Sequence, residues 1–139
     1  MKALGSIWEI SVESSRDCAT GTAVIVIDEV SGQNAIAVAG GANGLLSPAQ
    51  VAGAAPAFAS AKVLLVQLEA PPETVLAALE LAGEHGLVRI LDPAPFRPLA
   101  DDFLARVDVL TPNESEASQL AELEVCDVDS AVRAGEKLR

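Results

Sequence analysis

The sequence contains very few aromatic, cysteine and histidine residues. Aromatic residues make up 3% of the 139 residues, tyrosine is absent, and there are two cysteines and one histidine. So few thiols and imidazoles, with no Cys-x-x-Cys pair, argue against a disulfide scaffold and against a zinc site. Half of the residues are hydrophobic, so the core must be built mainly from Ala, Val, Leu and Ile.

Basic residues are also scarce. The sequence has 9 Lys and Arg and 20 Asp and Glu, which gives a net charge of −11. A surface this acidic repels phosphate backbones, which argues against nucleic-acid binding. The sequence has no basic amphipathic segment and no apolar run near the ~20 residues of a membrane span, so we expect no membrane contact. Glu9 interrupts the apolar start too early for a signal peptide, and we expect a cytoplasmic protein.

The order of apolar runs predicts a hairpin followed by alternating strands and helices. Two β-branched runs, at residues 22–28 and 34–40, flank a Ser-Gly turn and predict a β-hairpin. Three further apolar runs, at residues 62–69, 87–91 and 107–110, alternate with helix-like patterns. This alternation is typical of a parallel sheet with helices on both faces, and continuous apolar runs predict strands covered on both sides.

A polar side chain stands at the end of each of these three predicted strands. They are Glu69, Asp92 and Asn113. Ligands of open α/β sheets bind beyond the carboxyl ends of the strands, so all three would lie at the ligand edge. Each has an ordinary explanation when taken alone: Glu69, for example, could be solvated or could interact with the next helix start. Their repetition at one edge indicates a binding site.

Asn113 and Glu116 lie three residues apart in "TPNESEA". This is the spacing of a capping box, with Asn as the N-cap and Glu as the third helical residue. On spacing alone, this architectural interpretation is favoured. The chemical interpretation uses the same positions, because free N–H groups at a helix start suit a phosphate and Mg²⁺ would reconcile that phosphate with the Glu116 carboxylate.

Three segments, in this order, resemble the ribokinase family of PfkB-type carbohydrate kinases: "GANGLLSP", "VLLVQLEAPPETV" and "TPNESEA". The likeness extends from about Thr20 to about Leu120. It implies a ribokinase-like α/β fold, Rossmann-like, with a mostly parallel sheet flanked by helices and a β-hairpin lid portion. The expected division is a partial lid region at residues 1–45 and a partial kinase core at residues 46–139.

The resemblance also implies an activity, the transfer of the ATP γ-phosphate to a hydroxyl of a pentose or related sugar. Asn113 would contact the nucleotide phosphates, Glu116 would hold Mg²⁺ through water, and Glu69 would bind a sugar hydroxyl. Asp92 stands where many members have Asn. Full-length members can also use a monovalent cation such as K⁺, and their lids often pair into homodimers.

Some parts of the family pattern do not occur in this sequence. The "GAGD" motif, with its catalytic aspartate, is absent, as are the first sugar-binding strand and the Gly-Gly sugar loop. We therefore expect an internal fragment, truncated at both ends, that carries no catalytic residue and does not catalyse alone. The alternatives are a non-catalytic α/β module that binds a nucleotide or a partner, and a generic α/β domain in which Asn113 only caps a helix.

Overall fold

The computed structural model describes residues 14–139 of the chain. Its elements, in chain order, are β1 (Thr22–Ile27), β2 (Asn34–Ala39), a 3₁₀ helix (Gly41–Leu45), α1 (Pro48–Gly53), α2 (Ala55–Ser60), β3 (Val63–Gln67), α3 (Pro72–Glu84), β4 (Val88–Asp92), α4 (Asp101–Leu104), β5 (Val109–Leu110), α5 (Glu114–Ala121) and α6 (Val128–Lys137). The predicted α/β class is confirmed. Within residues 14–139, no helix has both the length and the apolar character of a membrane span.

β1 and β2 form the predicted antiparallel hairpin, paired along their whole length. In the turn, the Asp28 carboxylate accepts hydrogen bonds from the backbone N–H groups of Val30 and Ser31 at 2.7 and 3.2 Å. Gly32 has a φ of 71°, in the left-handed region that glycine adopts without steric cost. Every residue of both strands is exposed, so the hairpin is shaped by its own ladder and turn rather than by burial.

The second sheet is parallel, with the strand order β3-β4-β5. Gln67 lies opposite Asp92, and Leu91 lies opposite Leu110, so the carboxyl ends of the three strands share one edge. Helix α3 contacts β3 and β4, and it buries Val75 and Leu79 almost completely. The main core cluster is Leu68, Val75, Leu79, Leu91 and Phe103.

The prediction that the strands are covered on both faces is wrong for the described part of the chain. Along β3, the side chains of Val63 and Leu65 are 50% and 69% exposed, whereas Leu64 and Val66 pack against the core. Val109 on β5 is also exposed. A continuous apolar run shows that both faces tolerate apolar side chains, but it does not identify what covers them. The uncovered face of β3 forms part of the wall of a cavity.

An ion pair ties β4 to the residue before β5 at the amino edge of this sheet. The guanidinium of Arg89 binds both carboxylate oxygens of Asp108, at 2.9 Å from Nε and 2.8 Å from Nη2. The backbone N–H of Arg89 donates to the same carboxylate at 2.8 Å. These hydrogen bonds, first those of the Arg89 side chain, lower the pKa of Asp108 from 3.8 to about 2.

We expect Asp108→Asn to lower the free energy of unfolding near neutral pH by no more than about 1 kcal/mol, because the pair is partly exposed and screened. The folded pKa lies below the unfolded value, so the ion pair stabilises the fold above about pH 4 and this contribution is lost as the pH falls towards 2. Urea unfolding of both proteins at pH 7 and pH 2.5 would measure this. A difference between them that stays constant across this range would contradict the assignment.

Candidate functional site

The fold brings Glu69, Asp92 and Asn113 to one edge of the parallel sheet. Asp92 is the last residue of β4 and pairs in register with Gln67, the last residue of β3. Glu69 follows β3, and Asn113 follows β5. The three strands are parallel neighbours, so their ends face the same side, as the sequence predicts. The roles of the three side chains are not fixed by this placement and stay predictions.

Asp92 has a defined partner at this edge. Its Oδ2 accepts a hydrogen bond of 2.8 Å from Nε2 of Gln67, which joins the ends of β3 and β4. An asparagine at the same position could accept this bond through its own side-chain oxygen. Asp92 therefore serves here as a hydrogen-bond acceptor, and this role does not require a negative charge.

Asn113 and Glu116 form the capping box that their spacing predicts. Oδ1 of Asn113 accepts from the backbone N–H of Glu116, and Oε2 of Glu116 accepts from the backbone N–H of Asn113, both at 2.9 Å. Glu116 is 7% exposed, whereas Asn113 is exposed. The Nδ2 of Asn113 and the second carboxylate oxygen of Glu116 make no hydrogen bond to the described residues. The cap therefore leaves the Nδ2 donor of Asn113 and one carboxylate oxygen of Glu116 available to a ligand.

The donor set at this helix start suits a magnesium–nucleotide complex better than a bare metal ion. No group of three or more His, Cys, Asp or Glu side chains is placed to hold a metal anywhere in residues 14–139. Mg²⁺ does not need such a group, because it commonly binds one or two carboxylates while waters and substrate phosphates complete its shell. Glu116 can provide one such carboxylate, and Asn113 can donate to a phosphate oxygen.

A cavity of about 490 Å³ lies beside Glu69. One wall is the uncovered face at the end of β3, and the other is the segment that leads from β2 into α1. The lining residues are Ser14, Ser15, Ala42, Asn43, Leu45, Leu46, Gln50, Leu65, Val66, Gln67, Glu69 and Ala70. A small polar molecule could meet the Glu69 carboxylate and the Asn43 amide there, against an apolar wall.

The wall from residue 41 to 46 is fixed at both ends. Gly41 has a φ of 52°, and a Cβ at this position would lie 2.5 Å from the backbone oxygen of Ala19, so only glycine fits. At the other end, Oγ1 of Thr74 donates to the backbone oxygen of Leu46 at 2.7 Å. Thr74 is 1% exposed and belongs to the first turn of α3. The cavity wall is therefore attached to the helix that packs on the sheet.

Replacing Thr74 with valine is expected to lower the free energy of unfolding by about 1 kcal/mol, because it removes one buried hydrogen bond with little change in shape. Urea unfolding would measure the loss. Thr22→Val is the matched control, since Thr22 is exposed on β1, and it should change the stability by less than about 0.5 kcal/mol. Equal losses in the two variants would show that the bond to Leu46 contributes nothing specific.

Sequence reasoning missed some residues around the site. The sequence assigns no role to Asn43, and nothing local indicates that its segment faces a cavity. The side chain of Thr74 donates a hydrogen bond to the backbone oxygen of Leu46, 28 residues away in sequence. The side chain of Arg97 donates to the backbone oxygen of Leu68, 29 residues away. Such contacts leave no periodic signal in the sequence. The resemblance of "GANGLLSP" to the ribokinase family is the one clue to Asn43 that the sequence offers.

Comparisons with known proteins agree on one family. Residues 9–139 match the pfkB family carbohydrate kinases. A ribokinase of Haemophilus influenzae is 41% identical over 115 residues, which cover 83% of this chain and 37% of that protein. The bifunctional ribokinase/ribose-5-phosphate isomerase A of Fructilactobacillus sanfranciscensis is 43% identical over 119 residues, 86% of this chain and 22% of that protein.

Solved structures give the same result. The ribokinase of Giardia lamblia has a TM-score of 0.78 at 29% identity and is matched over 92% of this chain and 41% of its own. The ribokinase of Arabidopsis thaliana, complexed with ribose and ATP, has a TM-score of 0.71 at 26% identity, over 88% of this chain and 39% of its own. The chain thus spans well under half of the relatives it matches. By the family match over residues 9–139, it belongs to the pfkB family of carbohydrate kinases.

Proposed function

We propose that this chain forms the nucleotide-phosphate edge and part of the sugar site of an ATP-dependent, ribokinase-like kinase. In the proposed reaction, a hydroxyl oxygen of a pentose or related sugar attacks the γ-phosphorus of ATP. The bond between that phosphorus and the β,γ-bridging oxygen breaks, and ADP leaves. The observation that carries the proposal is the convergence of Glu69, Asp92 and Asn113 at the carboxyl edge of one parallel sheet.

The start of α5 is the proposed nucleotide-phosphate and metal site. Asn113 would donate from Nδ2 to a phosphate oxygen, and Glu116 would hold Mg²⁺ through a water molecule. When bound, Mg²⁺ neutralises charge on the phosphates during transfer. The capping box supports this assignment, because it fixes both side chains before any ligand arrives and so lowers the cost of binding.

Glu69 is the proposed sugar contact, and the cavity beside it is the proposed sugar pocket. A carboxylate accepts hydrogen bonds from hydroxyl groups and can receive two from a vicinal diol. The cavity volume of about 490 Å³ falls in the range of small-molecule sites, roughly 300–1,000 Å³. Glu69 lines this cavity, and Asn113 follows another strand of the same sheet, which supports a sugar site and a phosphate site at one edge.

The proposed site leaves the general base to residues outside this sequence. No side chain in the described region is assigned that role, and "GAGD" does not occur in the 139 residues. The chain alone is therefore not expected to transfer phosphate. A cytoplasmic location and the use of a monovalent cation such as K⁺ by the complete protein belong to the same proposal.

The hairpin β1–β2 is the proposed lid, in a region that covers residues 1–45 beside a core at 46–139. The apolar side chains of both strands are exposed, with Val24 at 59%, Ile25 at 58% and Ile36 at 57%. Apolar surface of this kind supports pairing of two lids into a homodimer. Sedimentation equilibrium of the chain and of an Ile25→Lys variant would test this, since a dimer through the lid should dissociate in the variant.

Titration of the purified chain with a non-hydrolysable ATP analogue tests the proposed nucleotide site directly. Calorimetry should show binding in millimolar Mg²⁺ and a loss of most affinity in excess EDTA. Binding that does not depend on Mg²⁺, or no binding at all, would contradict the proposal. The complete gene product should also phosphorylate a pentose, and failure to do so would leave a non-catalytic binding module as the alternative, which the uncovered face of β3 favours.

A further inference from the structure

We propose that Arg97 is a positioning residue that fixes Glu69 at the sugar pocket, an inference that rests on the proposed role of Glu69. Arg97 lies in the loop between β4 and α4, and its Nη2 donates to the backbone oxygen of Leu68. Leu68 is the residue directly before Glu69 and is fully buried. Arg97 thus reaches, from a separate loop, the peptide that carries the candidate sugar ligand.

The same loop holds Leu68 from its other side. The backbone N–H of Leu68 donates to the backbone oxygen of Ala94 at 2.9 Å. Both backbone polar groups of Leu68 are therefore bound by residues 94–97, three or fewer residues apart in one loop. Because the Leu68 side chain is also anchored in the core, little freedom is left to the residue that follows it.

The loop that supplies these bonds is itself stiff. Pro93, Pro95 and Pro98 lie within or beside it, and each proline ring fixes one backbone φ angle. Arg97 is half-buried, and its guanidinium reaches the Leu68 carbonyl. A rigid loop with a planar donor at its end is suited to hold a neighbouring loop in one geometry.

Arg97 acts on Glu69 through the backbone rather than by direct charge pairing. Among the described residues, the ion pairs of arginine join Arg89 to Asp108 and Arg106 to Glu80 and Asp102, and none joins Arg97 to Glu69. The Glu69 carboxylate is exposed and lines the cavity, so it stays available to a ligand. Arg97 is therefore expected to set where the carboxylate lies without neutralising it.

Arg97→Met tests the inference in the complete gene product, because methionine keeps most of the stem and removes every donor. A misplacement of about 1 Å can cost about a hundredfold in an active site. Since the bond from Leu68 to Ala94 remains, we expect the KM for ribose to rise about tenfold. The kcat and the KM for Mg·ATP should stay within about twofold. Arg97→Lys restores one donor and a positive charge, and it should recover most of the loss.

Lys62→Met is the matched control, because Lys62 is an exposed cation at the opposite end of β3, and it should change none of these constants. Amide hydrogen exchange of the 139-residue chain gives a readout that needs no ligand. Exchange at the Leu68 N–H, which is bound to the backbone oxygen of Ala94, should become about tenfold faster in Arg97→Met and should not change in Lys62→Met.

The outcomes separate this inference from the function on which it rests. A wild-type gene product that phosphorylates no pentose contradicts the proposed kinase function, and the sugar-positioning role falls with it. Pentose phosphorylation whose KM survives Arg97→Met contradicts the positioning role alone. A variant that raises the KM for Mg·ATP instead would make Arg97 a nucleotide contact, and unchanged amide exchange would show that the bond to Leu68 fixes nothing.

Discussion

Glu116→Gln is expected to weaken Mg²⁺-dependent binding of ATP by about ten- to a hundredfold while leaving the start of α5 intact. Glutamine is as suitable as glutamate at the third position of a capping box, so the backbone N–H of Asn113 keeps its acceptor. The variant removes only the negative charge that would hold hydrated Mg²⁺. Loss of one outer ligand of this kind typically costs about 10- to 100-fold in metal affinity. Titration of Mg²⁺ at a fixed concentration of ATP analogue would measure the change.

Glu114→Gln is the matched control for this experiment. Glu114 is an exposed acid in the same first turn of α5. Its replacement by glutamine removes one negative charge from the same helix start, as Glu116→Gln does. We expect it to alter the apparent affinity for Mg²⁺ by less than about twofold, because exposed charges are screened. Equal losses in the two variants would indicate a general charge effect and would remove Glu116 from the proposed metal site.

Asn113→Ser distinguishes the capping role of Asn113 from its proposed role in phosphate binding. Serine is a favoured N-cap, so the helix start should be kept. The carboxamide that would donate to phosphate is lost, and the affinity for the ATP analogue should fall while the stability hardly changes. An affinity equal to that of the wild type would mean that Asn113 serves as a cap and has no contact with the nucleotide.

The capping box shows how far local sequence can predict a site. The three-residue spacing of Asn113 and Glu116 predicts their mutual hydrogen bonds, and both are present at 2.9 Å. The architectural and chemical interpretations posed as alternatives turn out to be compatible, because a carboxylate has two oxygens and the cap uses one. Hydrogen bonds between residues three apart depend on the local sequence, so they can be predicted without knowledge of the tertiary fold.

The shared edge of the sheet could also be predicted, but for a topological reason. Alternation of strands with helices requires parallel strands, and parallel neighbours end on one side. Glu69, Asp92 and Asn113 therefore converge although 44 residues separate the first from the last. The hydrogen bond from Gln67 to Asp92 could not be predicted in the same way. It depends on the register between β3 and β4, which the sequence does not specify.

Coverage of the sheet and the support of the site could not be predicted. Leu64 and Leu65 are the same residue type, yet one packs on the core and the other is 69% exposed. Only the position of other elements distinguishes their surroundings. Arg97 and Thr74 bind backbone oxygens of distant loops, and any residue type could supply such an oxygen, so no partner can be inferred from composition or periodicity.

Glu69→Gln is expected to raise the KM for ribose by about ten- to a hundredfold, the equivalent of about 1.5–3 kcal/mol for a hydrogen bond to a charged group. The amide keeps the shape of the carboxylate but loses the charge and has one acceptor oxygen in place of two, so it cannot receive the two hydroxyls of a diol on separate oxygens. The KM for Mg·ATP should not change, because that proposed site lies at the start of α5. Steady-state kinetics of the complete gene product with each substrate varied would measure both constants.

Two comparisons show whether such a loss comes from a bidentate contact with sugar hydroxyls. Glu73→Gln removes an exposed acid from the first turn of α3, four residues further on, and should leave the KM for ribose within about twofold. With 2-deoxyribose, which lacks one hydroxyl of a vicinal pair, the wild type should already have lost one hydrogen bond, so Glu69→Gln should cost less than it does with ribose. This non-additivity is the signature of a direct contact, because independent effects would add. Equal penalties for the two sugars would place the carboxylate away from the 2-hydroxyl, and an unchanged KM for both would remove Glu69 from the sugar site altogether.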